Sequence, residues 1–403
     1  MTVRISRPSP TFTRESDAHA YNSPAHETRS NPSGRGNVVP LNRPLLEPGV
    51  SDHLELVDQQ LSEVSADLQH LWSQLAPPGA VADVLGADDL PCLLDELIRS
   101  GGKRIRPVMA YLGWLSASGQ ARGIGHADVV KVSAALELLH VFALVHDDVM
   151  DESTARRGAP TTHVVAASRH ADAEARGKAA RFGDNIAILL GDLAHAEADA
   201  LVADLPADLR RIWRKLVIEL VYGQRRDLTG SAAGRTDLQH AREVARLKSG
   251  AYTVERPLQL GAAAAHAPEV VQAALSTYGR EVGEAFALRD DLLGVWGDPA
   301  CTGKPAGDDL ISGKPTVILA LAHKLATDSV REVLSRVGKP TLTSDDITFL
   351  QEALVDRGVV AEVEKRIGRH VTRAVAALDE AVLDLVGVQQ LMVMAQTIAW
   401  RDS

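Results

Sequence analysis

The chain has 403 residues, 45% hydrophobic and 24% charged, with a formal net charge of −10. That is enough apolar material to bury a large core. It argues against a general nucleic-acid binder, because phosphate-backbone binding needs a basic footprint and no dense Lys/Arg block occurs.

Residues 1 to about 50 are rich in Ser, Pro, Asn and Arg, lack a helical period, and read as a disordered tail. A targeting peptide is the alternative, but Glu15, Asp17 and Glu27 sit badly with the acid-poor composition of such segments. No apolar run reaches the roughly 18 residues of a membrane span, and the N-terminus lacks the charged-then-apolar pattern of a signal sequence. Cys92 and Cys301 are too few for a disulfide framework and lack metal-ligand spacing, so a cytoplasmic location is expected.

From residue 51 onward, apolar residues at three- and four-residue spacing predict long helices, among them 126 to 151, 182 to 204, 236 to 265 and 359 to 402. Strand patterns are hard to find, so the expected fold class is all-α. Glycine and proline mark breaks at 76 to 80, 100 to 107, 156 to 160 and 297 to 315. No linker-like stretch divides residues 51 to 403, and one helical domain is expected there.

Turned at about 100° per residue, the segment 126 to 151 gathers Glu137, His140, Asp147, Asp148 and Asp151 into one sector, with Val129, Val132, Leu139 and Phe142 elsewhere. Charges in an apolar helix need partners or a metal. Asp147 and Asp151 lie one turn apart, close enough to share hard divalent cations, and carboxylate oxygens suit Mg²⁺. A solvated acidic helix end is the plain alternative. A second pair, Asp290 and Asp291, closes another apolar run and precedes a loop holding Lys304, Asp308, Asp309 and Lys314. Lys103, Arg104, Arg106, Arg156, Arg157 and Lys248 add positive charge. Singly, each is more often an ordinary surface charge. Together, carboxylates with Mg²⁺ beside ammonium and guanidinium groups suit the gripping of diphosphates.

The stretches "GGKRIRP", "ELLHVFALVHDDVMDESTARRGAPTTH", "LLGDLAHAEA", "YGQRRDLTG", "RLKSGAYTVERPLQLG" and "FALRDDLLGVWGDPACTGKPAGDDLISGKPT" stand in the order seen in trans-isoprenyl diphosphate synthases. Over residues 80 to 400 the chain resembles the short-chain branch of that family, which includes farnesyl and geranylgeranyl diphosphate synthases. The resemblance implies an all-α bundle around a central cavity, usually dimeric, that condenses isopentenyl diphosphate with allylic diphosphates using three Mg²⁺ ions. It implies that Lys103, Arg106 and His140, assisted by Arg157, hold isopentenyl diphosphate. Arg156, Lys248, Lys304 and Lys314 match positions near the allylic diphosphate. Asp147 and Asp151 match ligands of two ions and Asp290 the principal ligand of a third, with Asp148 and Asp291 in support. Gln224 and Asp227 match polar positions facing the same cavity, and Glu137 is left structural.

Two positions depart from the family pattern. The second acidic motif usually reads DDxxD, and its last place is Gly294; the usual preceding glutamine falls at Ala287. These departures favour a rival reading as a non-catalytic partner subunit, which the intact Asp147, Asp151 and Asp290 oppose. A class I terpene cyclase would share the fold, but its late metal-ligand triad is missing at 280 to 300. Product length in the family depends on residues four and five before the first aspartate, here Ala143 and Phe142. One small and one bulky side chain point to geranylgeranyl diphosphate, with farnesyl diphosphate as the alternative. On the helical projection Ala143 lies about 40° from Asp147 but Phe142 about 140° away, so the role of Phe142 rests on the resemblance.

Overall fold

The structure is a computed structural model that describes residues 48–75, 84–86, 89–298 and 306–401. The expected tail up to residue 47, and with it Lys304 and Cys301, lies outside the described residues. In chain order the helices are α1 (Pro48–Leu75), α2 (Leu90–Arg99), α3 (Ile105–Ser116), α4 (Gly119–Arg122), α5 (His126–Met150), α6 (Thr162–Asp172), α7 (Ala179–Val202), α8 (Ala207–Ala232) and α9 (Leu238–Val244). A π-helix (Ala245–Glu255) runs directly into α10 (Arg256–Ala264), and α11 (Glu269–Trp296) follows. The chain ends with α12 (Asp308–Ser312), α13 (Val317–Leu325), α14 (Asp328–Leu334), α15 (Ser344–Asp356), α16 (Val359–Ala377) and α17 (Leu385–Ala399).

The all-α expectation is met, with three local differences. A two-stranded antiparallel ribbon pairs Ala155–Arg156 with Ala159–Pro160 where only a break was expected. The segment 236 to 265 is three helical pieces of unequal pitch, with a π-helix in the middle. The segment 359 to 402 breaks after a 3₁₀ turn at Leu378–Glu380 and restarts at Leu385, where Asp384 caps the Val386 and Gly387 amides.

Helix α5 runs through the core, packed against α3, α7 and α10. Its Val129, Val132, Leu136, Leu138 and Leu139 are fully buried. Among the described residues it is the one helix long and apolar enough to pass a length-and-composition test for a membrane span, although Lys131 and Glu137 interrupt the apolar run. Its apolarity has a place inside the bundle, where neighbouring helices cover it. Helices α3 and α10 touch backbone to backbone: a β-carbon at Gly113 would lie 2.2 Å from the Leu258 carbonyl oxygen, and one at Gly261 1.8 Å from that of Ala110. Only glycine permits this approach; toward the other end of α3, Arg106 meets Thr253 of the π-helix.

Candidate active site

Both acidic clusters sit near the C-terminal ends of long helices, where unpaired carbonyls already make the potential negative. Asp147 and Asp148 lie in the last turn of α5 and Asp151 is its C-cap; Asp290 and Asp291 precede the end of α11. Such placement demands cations, and the chain supplies them from four other segments.

Asp147 Oδ1 accepts from Lys248 Nζ on the π-helix at 2.9 Å and from Gln224 Nε2 on α8 at 2.9 Å. Lys248 Nζ also donates to Asp227 Oδ2 at 2.6 Å. Lys314 Nζ reaches Asp151 Oδ2 at 2.7 Å. Arg156, on the ribbon that no strand pattern foretold, grips Asp148 with Nη2 at 2.6 Å and Nε at 2.8 Å, and lies 3.9 Å from Asp147. Burial opposes ionisation of Asp147, yet Lys248, Lys314 and Arg156 outweigh it and bring its carboxyl down to about 2. Burial likewise disfavours the Lys248 ammonium, but Asp147 and Asp227 raise its pKa.

The second cluster divides its work. Asp290 is half exposed and pairs with Arg401, whose Cζ lies 4.1 Å from the centre of the Phe286 ring. Asp291 is partly buried and accepts from the Val317 amide at 3.0 Å, so it caps α13. Burial, then the charge of Asp309, pushes its carboxyl well above the usual range.

A separate basic group forms where α3, α5 and the ribbon meet. Arg106 is buried, donates to Thr253 Oγ1 at 3.2 Å and lies 4.1 Å from the centre of the Tyr252 ring. His140 Nδ1 is 2.6 Å from the Tyr252 hydroxyl. Burial, followed by Arg106, Arg157, Arg156 and Arg104, holds the His140 ring well below its ordinary pKa and therefore neutral. Arg157 donates to the Gly101 carbonyl, and a β-carbon at Gly102 would crowd its guanidinium at 3.1 Å. Burial, then Arg401, draws Lys103 down to about 8, with Asp290 opposing and Arg157 assisting. Arg104 stands apart: it bonds Glu137 at 2.5 Å and Asp58 at 3.0 Å, tying α1 to α5. That ion pair takes up the Glu137 carboxylate.

Phe142 stacks on His195 of α7 with centroids 4.8 Å apart and meets His146 edge-on at 4.7 Å. Ala143, one residue on, is partly buried against the core. Sequence reasoning missed His195, Tyr252, Thr253 and Arg401; only the quoted stretches "LLGDLAHAEA" and "RLKSGAYTVERPLQLG" held a signal for the first three.

No group of three or more His, Cys, Asp or Glu converges on a single metal position among the described residues. Mg²⁺ does not require one, since it is commonly held by one or two carboxylates with substrate phosphates and water completing the octahedron. The donors present, Asp147, Asp151 and Asp290, are carboxylates only, each now balanced by a cationic side chain. That donor chemistry fits Mg²⁺.

Residues 89–354 match the model of a family described as polyprenyl synthetase. The chain is 34% identical over 292 residues to a geranylfarnesyl diphosphate synthase of Aeropyrum pernix, covering 69% of this chain and 83% of that one. It is 32% identical to a geranylgeranyl diphosphate synthase of Mycobacterium tuberculosis, covering 73% and 80%. A geranylgeranyl pyrophosphate synthase from Corynebacterium glutamicum, solved with isoprenyl diphosphate and magnesium, superposes with a TM-score of 0.79 at 34% identity, covering 87% of this chain and 99% of that one.

Proposed function

The chain belongs to the polyprenyl synthetase family, and we propose that it condenses isopentenyl diphosphate head to tail (1′-4) with an allylic diphosphate to give a short all-trans prenyl diphosphate. It is a prenyltransferase. Geranylgeranyl diphosphate is the product we assign, with farnesyl diphosphate the alternative, and residues 51–403 form the single synthase unit. The observation that carries this reading is two distinct cationic groups. Lys103, Arg106 and Arg157 make one, with the neutral His140 ring beside them; Arg156, Lys248 and Lys314, interleaved with aspartates, make the other.

In this reading the first group, which carries no interleaved aspartate of α5, holds the diphosphate of isopentenyl diphosphate. Arg156, Lys248, Lys314 and Lys304 hold the allylic diphosphate, and Asp148 keeps the Arg156 fork in place. Asp147, Asp151 and Asp290 would hold three Mg²⁺ ions, with Asp148 and Asp291 supporting from outside. Bound there, Mg²⁺ neutralises charge on the leaving diphosphate. Lys248, Lys314 and Arg156 add to that positive field as the allylic C1–O bond breaks and the diphosphate departs with the electron pair. Fixing both substrates by their diphosphates sets the double bond of isopentenyl diphosphate against the allylic cation. The proton then lost passes to the departed diphosphate, so no protein nucleophile is needed. Phe142 and Ala143, backed by His195, floor an apolar pocket that excludes water from the cation.

Large apolar side chains left exposed on α7 (Ile188, Leu189) and α8 (Ile218, Val221, Tyr222) support a homodimer as the working form. We place the enzyme in the cytoplasm. Incubating the pure chain with Mg²⁺, isopentenyl diphosphate and dimethylallyl, geranyl or farnesyl diphosphate in turn tests the assignment. Twenty-carbon product from all three primers is expected; products stopping at fifteen carbons would select the alternative.

A further inference from the structure

The second acidic motif has glycine at its last place, yet that place is filled. Gly294 follows Asp290 by four residues and Asp291 by three, so a side chain there would share their face of α11. A β-carbon built on Gly294 would lie 2.1 Å from Asp309 Oδ2, 2.5 Å from its Cγ and 3.1 Å from Oδ1. The Asp309 carboxylate therefore occupies the volume that an aspartate at 294 would claim. We propose that Asp309, delivered from α12, supplies the third carboxylate of the second acidic cluster in place of residue 294, and that position 294 is glycine to admit it.

The backbone holds Asp309 there. Gly307, in the left-handed region at φ 81°, turns the chain into α12, and the Lys314 amide donates to the Asp309 carbonyl at 3.2 Å. The Gly338 amide donates to the Leu310 carbonyl at 3.2 Å, fastening the same turn to the following segment. The electrostatic surroundings agree with a shared site. After burial, Asp309 is the main influence raising the Asp291 pKa, and it is second to Asp151 among the charges raising that of Lys314. Lys314 in turn reaches Asp151. Asp309 thus lies within electrostatic reach of Asp291 in the second cluster and of Lys314, the partner of Asp151 in the first.

The inference rests on the proposed Mg²⁺–diphosphate site, and the test separates the two. Calorimetric binding of Mg²⁺ with inorganic pyrophosphate is measured on the full chain and on Asp147→Ala, Asp309→Asn, Gly294→Asp and the double variant Gly294→Asp/Asp309→Ala, each checked for helical content and melting. Asp309→Asn, nearly isosteric, should weaken binding about ten- to a hundredfold, the usual cost of losing a supporting carboxylate. Gly294→Asp alone should also weaken it, because two carboxylates would compete for one volume. The double variant moves the carboxylate from α12 to α11 and should recover binding to within about threefold of the parent. Parent-like affinity in Asp309→Asn, or a double variant no better than Gly294→Asp alone, would overturn the inference. If Asp147→Ala also binds like the parent, the site itself is wrong; if Asp147→Ala fails to bind while Asp309→Asn binds normally, only the transposed carboxylate is.

Discussion

Replacing Asp147 by alanine separates what the acidic cluster does for the fold from what it does for the reaction. The substitution removes an acceptor from Lys248 and Gln224, each at 2.9 Å. Lys248 keeps Asp227 at 2.6 Å, so no cation is stranded without a counter-charge. The two lost charged hydrogen bonds are worth roughly 3–6 kcal/mol in all, offset in part because a buried carboxylate no longer has to be desolvated, and at about 2 °C per kcal/mol in a domain of this size the melting midpoint should fall by no more than about 12 °C. Turnover should fall much further. Removing one preorganised electrostatic group at a developing charge costs about 10²–10³ in kcat, or ~2.7–4 kcal/mol, and a metal-bearing carboxylate should cost at least that. Asp151→Ala should behave alike, because Lys314 retains Asp309 and Asp147 nearby. The assay is steady-state kcat at saturating substrates and Mg²⁺, with thermal melting by circular dichroism on the same samples. Near-normal turnover in both variants would refute the assignment, and a collapse of melting matching the loss of turnover would make the cluster structural.

Lys103→Ala and His140→Ala should raise the apparent KM chiefly for isopentenyl diphosphate, whereas Lys248→Ala should act chiefly on the allylic substrate; equal effects on both substrates would contradict two separate sites. The depressed Lys103 pKa of about 8 sets a pH dependence. A diphosphate prefers the protonated ammonium, so the KM for isopentenyl diphosphate should be flat below that pH and rise above it by up to about tenfold per unit. Lys103→Arg, always charged, should flatten the rise, and a parent KM unchanged across the alkaline range would count against it. Phe142→Ala should lengthen the products and Ala143→Phe shorten them, as read by chromatography of the dephosphorylated alcohols; active variants with unchanged products would put the pocket floor elsewhere.

The helices and the two acidic clusters were legible because both depend on local periodicity. The 3.6-residue repeat of apolar residues in α5, and the polar stripe through it, need no knowledge of neighbours. The π-helix was not legible: it keeps helical spacing in composition, and its widened turn is bound up with packing on α11 and α8. The ribbon at 155–160 carries no alternation because it is two residues per strand, held by its turn and by Arg156 reaching back to Asp148. Long-range partners were the least visible. Phe142 lies far from Asp147 on the projection, and only the approach of α7 reveals that it stacks on His195. Gly294 reads as a missing ligand in one dimension and as a vacated position in three, because Asp309 arrives from fifteen residues downstream.

By itself, this chain should use Mg²⁺ and two diphosphates to build a carbon–carbon bond. Labelled isopentenyl diphosphate, incubated with the homogeneous chain and an allylic primer, measures it directly. Label should enter an apolar-extractable product after acid hydrolysis, abolished by EDTA and restored by added Mg²⁺. No incorporation by a folded, Mg²⁺-supplied chain with any of the three primers, appearing only when a second protein is added, would make it the binding subunit of another synthase and contradict the claim.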